Sequence, residues 1–202
     1  MTRGQGCVAP GGAERPHGPR LVLLNGLPGV GKSTVAAAWS ARHPGTLNLD
    51  IDVVRSLISG AAPDTAEPAR ALGLAMAVEH LRGGRDVVVP QLVARADQVS
   101  RFADAAATAG ARFVHVLVET PDALVAARLA ADDAPQRRDL GPAALADYAT
   151  GLREVALRPG VLRLTGERLA DAVGRLERLL GAVRDPGQDP AGPASTSPVT
   201  GR

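Results

Sequence analysis

Residues 21–39 read LVLLNGLPGVGKSTVAAAW. Four apolar residues, Leu21 to Leu24, run into Asn25, and a turn rich in Gly and Pro follows. One lysine, two hydroxyls and an Ala-rich stretch complete the segment. The apolar run has the length of a buried strand, and the stretch from Lys32 to Arg42 reads as a helix. Between them Gly26-Leu27-Pro28-Gly29-Val30-Gly31-Lys32-Ser33 satisfies G-x-x-x-x-G-K-[ST] at every fixed position. A chance Gly-rich turn would not also carry a strand before it and a helix after it.

The residue types follow from what a polyphosphate needs. Its oxygens require several converging N–H donors, and only a Gly-rich turn lets the backbone approach that closely. The turn feeds a helix N-terminus, where unpaired amides and the helix dipole favour anions. Lys32 adds a mobile point charge for the β- and γ-phosphates. The Ser33 hydroxyl suits Mg²⁺, and Thr34 faces the α-phosphate side. Lys32 is the only lysine of the chain, which otherwise takes arginine for its cations. A planar guanidinium is too wide for a loop closed tightly around phosphate. Gly26, Leu27, Pro28, Gly29, Val30, Gly31, Lys32, Ser33 and Thr34 are therefore the expected binding residues for ATP, with Ser33 on the metal.

The 202 residues suffice for one sizeable domain, and 45% of them are hydrophobic. Aromatics make up only 2%, so the core must come from Val, Leu, Ile and Ala. Basic and acidic residues nearly cancel, 23 against 21, which gives no case for a nucleic-acid partner. Cys7 is the only cysteine, so no intramolecular disulfide forms. No run approaches the ~18 apolar residues of a membrane span. The N-terminal stretch lacks the apolar segment of a secretory signal. The expectation is a soluble cytoplasmic protein with no membrane partner; oligomeric state is not readable.

Residues 1–19 and 185–202 are rich in Gly and Pro and aperiodic, and are expected to be disordered. Residues 20–184 form the expected domain. Strands are predicted at Leu21–Asn25, Thr46–Asp50, Asp86–Pro90, Arg112–Val118 and Val161–Leu164. Helices are predicted at Lys32–Arg42, Ala69–Leu81, Ala94–Ala109 and Pro121–Ala131. The stripe Leu169, Val173, Leu176, Leu180 and Val183 marks one more. The alternation predicts an α/β three-layer sandwich of the P-loop NTPase type, a five-stranded parallel sheet with helices on both faces.

Ligands of such sheets bind beyond the carboxyl ends of the strands. The second strand ends in Leu47-Asn48-Leu49-Asp50-Ile51-Asp52-Val53-Val54-Arg55. On an extended chain Asp50 and Asp52 face the same way. A carboxylate at Asp52 can take a proton from a substrate hydroxyl beside the γ-phosphate. The other reading is that one Asp caps the following helix. Asp50 is a candidate contact to a Mg²⁺-bound water or to substrate. Arg55 is a substrate contact or a solvated helix residue. His115, inside a strand, reads as a satisfied core or edge histidine. Tyr148 reads as packing, with stacking on a substrate or base as the alternative.

The loop together with LDIDVVR resembles the P-loop small-molecule kinases of the zeta-toxin and chloramphenicol phosphotransferase kind, the AAA-type ATP-binding kinases. In that group an Asp just after the second strand acts as base towards a hydroxyl, and Asp52 matches that position. The segment ARFVHVLVETPDALVAARLAADDAPQRR is similar to the group's fourth strand, helix and arginine-bearing lid, placed here at about 131–142. The resemblance runs from about Leu21 to Arg138. It implies phosphate-facing cations at Arg128, Arg137 and Arg138. The chain departs from it in two places. The third strand ends in Pro90-Gln91, where many P-loop proteins carry an acidic residue for the metal's water shell. Gln91 can orient a ligand without supplying charge. Asp132 and Asp133 stand where more basic residues are expected.

The expected activity is transfer of the γ-phosphate of ATP, with Mg²⁺, to a hydroxyl of a small molecule. Lys32, Asp52, Arg128 and Arg137 are the catalytic candidates. Asp50, Arg55, Gln91 and Arg138 are the candidates for acceptor binding. Acceptor specificity is expected in Asp52–Thr65, Gln91–Asp97 and the lid. The competing reading is a nucleotide-binding regulatory or toxin–antitoxin module without kinase activity. A GTPase is disfavoured because N-K-x-D needs a second lysine.

Overall fold

The computed structural model describes residues 17–59, 65–121, 125, 141–165 and 168–182. Five parallel strands form its sheet: β1 (Arg20–Asn25), β2 (Leu47–Asn48), β3 (Val87–Pro90), β4 (Arg112–Glu119) and β5 (Leu162–Thr165). Their order is β2-β3-β1-β4-β5. The helices are α1 (Lys32–Arg42), α2 (Ile51–Ser56), α3 (Ala66–Arg82), α4 (Ala96–Thr108), α5 (Pro142–Ala156) and α6 (Leu169–Ala182).

β1 is the central strand, and all six of its residues are buried. Because both faces are covered, its apolar run is continuous rather than alternating. Leu21 and Leu23 enter one core with Val87, Val89, Phe102 and Val155. Val22 and Leu24 enter the other with Trp39, Val116, Val173 and Leu176. Thus α1 and α6 cover one face, and α2, α3, α4 and α5 contribute to the other. This is the expected three-layer α/β sandwich.

After β1 the chain crosses to one face through α1, and after β3 it enters α4 on the other. The carboxyl ends of β1 and β3 therefore flank a switch in winding direction, where such sheets open a crevice.

Several elements differ from their sequence expectation. The second strand ends at Asn48, and a helix begins at Ile51. Ile51 and Val54 are three apart and both buried, so helical spacing rather than alternation seats them in the core. The predicted strand placement of Asp50 and Asp52 on one face is thereby overturned. Helix α3 begins a turn earlier than Ala69. Its buried stripe is Ala69, Gly73, Ala77 and Leu81, while Leu74 and Val78 are only partly buried. A Cβ at Gly73 would overlap Ile51 Cδ1, so the small residues let α2 close onto α3. Leu169 was expected in the buried stripe of the last helix but is 42% exposed at the helix start. Helix α5, opened by Gly141 with Pro142 in the first turn, had no counterpart in the sequence reading. The termination of α4 agrees: Ala109 caps it, and Gly110 takes a φ of 66°.

The expected disordered segments lie outside the described residues apart from 17–19. So do 122–124 and 126–131 of the predicted helix Pro121–Ala131, positions 131–140 of the expected lid, and Val183. Among the described residues, no helix is long and apolar enough to cross a membrane.

Candidate active site

The Gly-rich loop leaves β1 under tight constraint. Gly26 has φ 149°, and a Cβ there would sit 2.6 Å from the Val118 carbonyl oxygen. Gly29 and Gly31 have φ 80° and 98°, a backbone that side chains resist. Gly31 is the N-cap of α1, so the loop delivers the first amides of an 11-residue helix. The Lys32 ammonium donates to the carbonyls of Gly26 and Leu27, each at 2.8 Å. Thr120 Oγ1 donates to the Val30 carbonyl at 2.9 Å and ties the loop to the segment after β4.

Residues 28–34 line one side of a cleft of about 1140 Å³. Gly26 and Leu27 are not among the lining residues, and their carbonyls accept from Lys32. Asp50, Asp52 and Arg55 face the same cleft from α2, and Gln91 faces it from the end of β3. The cleft thus gathers the phosphate loop, the catalytic candidate Asp52 and three of the four acceptor-binding candidates, Asp50, Arg55 and Gln91. Arg128, Arg137 and Arg138 lie outside the described residues.

Within this group the two aspartates have different jobs. Asp50 is the N-cap of α2, and its Oδ1 accepts from the Asp52 amide at 2.9 Å. The capping role expected of one Asp falls to Asp50. Asp52 sits in the first helical turn, exposed in the cleft. Arg55 follows three residues later, near one turn on, and its Nε donates to Thr65 Oγ1 at 2.9 Å.

Other residues of the cleft wall were not singled out from sequence. Arg70 lines it from α3, with its charge answered by Glu67 at 2.7 Å. Glu67 also takes Arg101, whose hydrogen bond is the main cause holding its carboxyl below the ordinary range. Arg95 lies beyond β3 and pairs with Asp97 through both oxygens. Arg55 and Arg168 line the cleft with no carboxylate partner among the described residues. Tyr148, read as packing, is 37% exposed and faces the cleft from α5. Arg70 on α3, Tyr148 on α5 and Arg168 just before α6 lie far apart along the chain, and that distance hides their convergence.

His115 is buried on β4, and its pKa falls from 6.5 to about 4. Burial is the main cause and the nearby Arg158 charge the second.

The residues present fit a magnesium nucleotide. The three glycines form a cradle that side chains would fill or strain. The Ser33 hydroxyl, at the start of α1, has no protein hydrogen-bond partner among the described residues. Gln91 Oε1 is buried without a partner, an orphan acceptor at the position where an acidic residue was missed. Among the described residues, no group of three His, Cys, Asp or Glu could hold a metal by itself. Mg²⁺ bound through one hydroxyl, waters and substrate phosphates needs no such cage.

A family model described as an AAA domain matches residues 21–154. The chain belongs to that family. The AAA domain match spans the loop, the cleft-lining α2 and most of α5. No curated protein sequence matches the chain. Solved structures share the fold at low identity. The APS kinase CysC of Mycobacterium tuberculosis, in complex with AMPPNP and APS, is 21% identical with a TM-score of 0.53. That alignment covers 83% of this chain and 100% of the other. A gluconokinase from Sinorhizobium meliloti 1021 is 18% identical with a TM-score of 0.54, covering 83% and 94%. The Deinococcus radiodurans tunicamycin resistance protein is 20% identical with a TM-score of 0.58, covering 82% and 95%. These likenesses establish the P-loop α/β fold of the AAA domain.

Proposed function

We propose that this AAA domain is an ATP-dependent phosphotransferase that moves the γ-phosphate of ATP to a hydroxyl group of a small molecule. The observation that carries the reading is that the Gly-rich loop and Asp52 line one cleft. Residues 28–34 bind the polyphosphate through main-chain amides and the Lys32 ammonium, which the carbonyls of Gly26 and Leu27 hold in place. Ser33 would hold Mg²⁺, which would neutralise phosphate charge, with Gln91 as a neutral polar neighbour at the end of β3. Asp52 accepts the acceptor's hydroxyl proton and aims its oxygen at phosphorus. The new O–P bond forms as the β–γ bridging bond breaks, and ADP leaves. Asp50 holds α2, and hence Asp52, in place. Arg55, without an acidic partner among the described residues, is free to bind a polar or anionic group of the acceptor. The further phosphate-facing cations of this reading are Arg128, Arg137 and Arg138.

The fold shared with an APS kinase and a gluconokinase supports kinase chemistry on a small acceptor. Within the family the reading points to the zeta-toxin and chloramphenicol phosphotransferase kind. Gln91 in place of an acid favours one alternative, a module that binds nucleotide and transfers nothing. The test is incubation of the full chain with Mg·ATP and a library of hydroxylated small molecules, with mass spectrometry for an added phosphate. Asp52→Asn should lower the rate by about 10²–10⁴ while retaining nucleotide binding. Nucleotide binding with no phosphorylated product would replace the kinase reading by the regulatory one.

A further inference from the structure

Asn25 is the last residue of β1 and the one before the Gly-rich loop, and it is completely buried. Its amide has two acceptor sites and two donor hydrogens, and four bonds use them all. Oδ1 accepts from the Gly26 amide at 2.8 Å and from the Val93 amide at 2.8 Å. Nδ2 donates to the Val93 carbonyl at 2.7 Å and lies 3.1 Å from His115 Nε2. The two backbone amides fix which end of the side chain is oxygen. His115 Nε2 must then be an acceptor, and its ring proton sits on Nδ1.

Val93 belongs to no strand, since β3 ends at Pro90 and α4 starts at Ala96. The backbone ladder between β1 and β3 has ended by Gln91, whose amide donates to Leu24. The Asn25 amide extends that ladder by pairing with both main-chain groups of one residue, across the switch-point crevice. It thereby holds the 91–95 segment, which forms a wall of the cleft. The next residue, Ala94, supports the next wall: a Cβ at Gly151 would overlap its carbonyl, so α5 rests directly on that backbone. Tyr148 lies one turn from Gly151 and faces the cleft.

We propose that Asn25, oriented by His115, is a positioning latch that couples the nucleotide loop to the acceptor wall at 91–95 and Tyr148. The proposal rests on the reading of 26–34 as the nucleotide loop, and not on phosphate transfer. The Gly26 amide and the Val93 amide share one carbonyl oxygen, so ordering the loop around a polyphosphate orders Val93 through a rigid group. The buried amide has no spare bond with which to follow one partner and release the other.

The test uses the full chain with Mg·AMPPNP as probe and reads backbone amide exchange over 91–95 and 146–152. In the wild type, nucleotide should slow exchange in both segments by about 5-fold or more. In Asn25→Ala the slowing should vanish while AMPPNP affinity changes by less than about 10-fold. His115→Gln, whose amide oxygen can accept from Asn25 Nδ2, should preserve the transmitted slowing, and His115→Leu should weaken it. A merely structural role would speed exchange in both states without abolishing the response to nucleotide. The His115 pair keeps the test decisive if Asn25→Ala fails to fold. In ¹⁵N spectra of the wild type at pH 7, His115 should show the Nδ1–H tautomer; an Nε2–H tautomer would overturn the latch. Transmission that persists in both Asn25→Ala and His115→Leu would overturn it too, as would AMPPNP binding without slowing at 91–95. A wild type that transmits yet phosphorylates nothing loses the kinase reading and keeps the latch. A wild type that binds no nucleotide loses both.

Discussion

Acidification from pH 7 to pH 4 should cost this fold about 3 kcal/mol through His115 alone. The folded pKa is about 4 against 6.5 for the free side chain. Between those values the unfolded chain binds a proton that the folded chain refuses, so stability rises with pH across this window. Above pH 6.5 both states are neutral at this ring and the contribution is complete. At pH 4 the unfolded state has gained about 3.4 kcal/mol from protonation, and the half-protonated native state about 0.4. The structural cause is double. Burial strips the imidazolium of water and the nearby Arg158 charge repels it; in the same geometry a proton on Nε2 would set Nε2–H against Asn25 Nδ2–H at 3.1 Å. A domain of this size is stable by about 5–15 kcal/mol, so the loss is measurable and serious. Urea denaturation of wild type and His115→Gln at pH 7, 6, 5 and 4 isolates the effect, because all other groups titrate in both. The wild type should lose about 3 kcal/mol more than the variant over that range. Parallel stability profiles, within about 0.5 kcal/mol at every pH, would show that His115 is not held neutral, and the reasoning would fall.

The remaining expectations concern the loop, the cap and the walls. Gly26→Ala puts a Cβ 2.6 Å from the Val118 carbonyl at a φ of 149°. It should cost about 1–3 kcal/mol and abolish Mg·AMPPNP binding, read by thermal melting and titration. Asp50→Ala removes the α2 cap and should cost about 1 kcal/mol in urea, whereas Asp50→Asn should be nearly neutral because Asn caps as well. Equal losses in both would mean that Asp50 acts by charge. Gly151→Ala drives a methyl into the Ala94 backbone, which cannot rotate away, and should lower the melting temperature by about 2–12 °C. Arg55→Ala should raise KM for the acceptor found in the library screen by about 10-fold or more, with kcat less affected. An unchanged KM would return Arg55 to the solvated surface.

Much of the site was legible because its determinants are local. The loop pattern names its own glycines, lysine and hydroxyl, and the required backbone is set within eight residues. Asp50 and Asp52 were legible as a pair near the loop. Their division of labour was not, because alternation and helical spacing compete over LDIDVV and the packing of Ile51 against Gly73 decides between them. The buried stripe of α3 was not legible for a related reason. Small residues at 69, 73 and 77 carry little hydrophobic signal, yet at Gly73 they leave the room that Ile51 of α2 fills. Helix α5 escaped notice, so Tyr148 and Gly151 were not seen as parts of a wall.

By itself the sequence determined that a strand, a phosphate-binding turn and a helix succeed one another at 21–42, and that strands alternate with helices into a parallel sheet. Those outcomes depend on backbone freedom and apolar spacing over a few adjacent residues. Only the tertiary structure decided that Asn25 meets Val93, 68 positions away, and that helices after β2, β4 and β5 close one cleft with the loop. Strand order β2-β3-β1-β4-β5 creates those meetings, and it is selected by the simultaneous burial of two sheet faces rather than by any single segment.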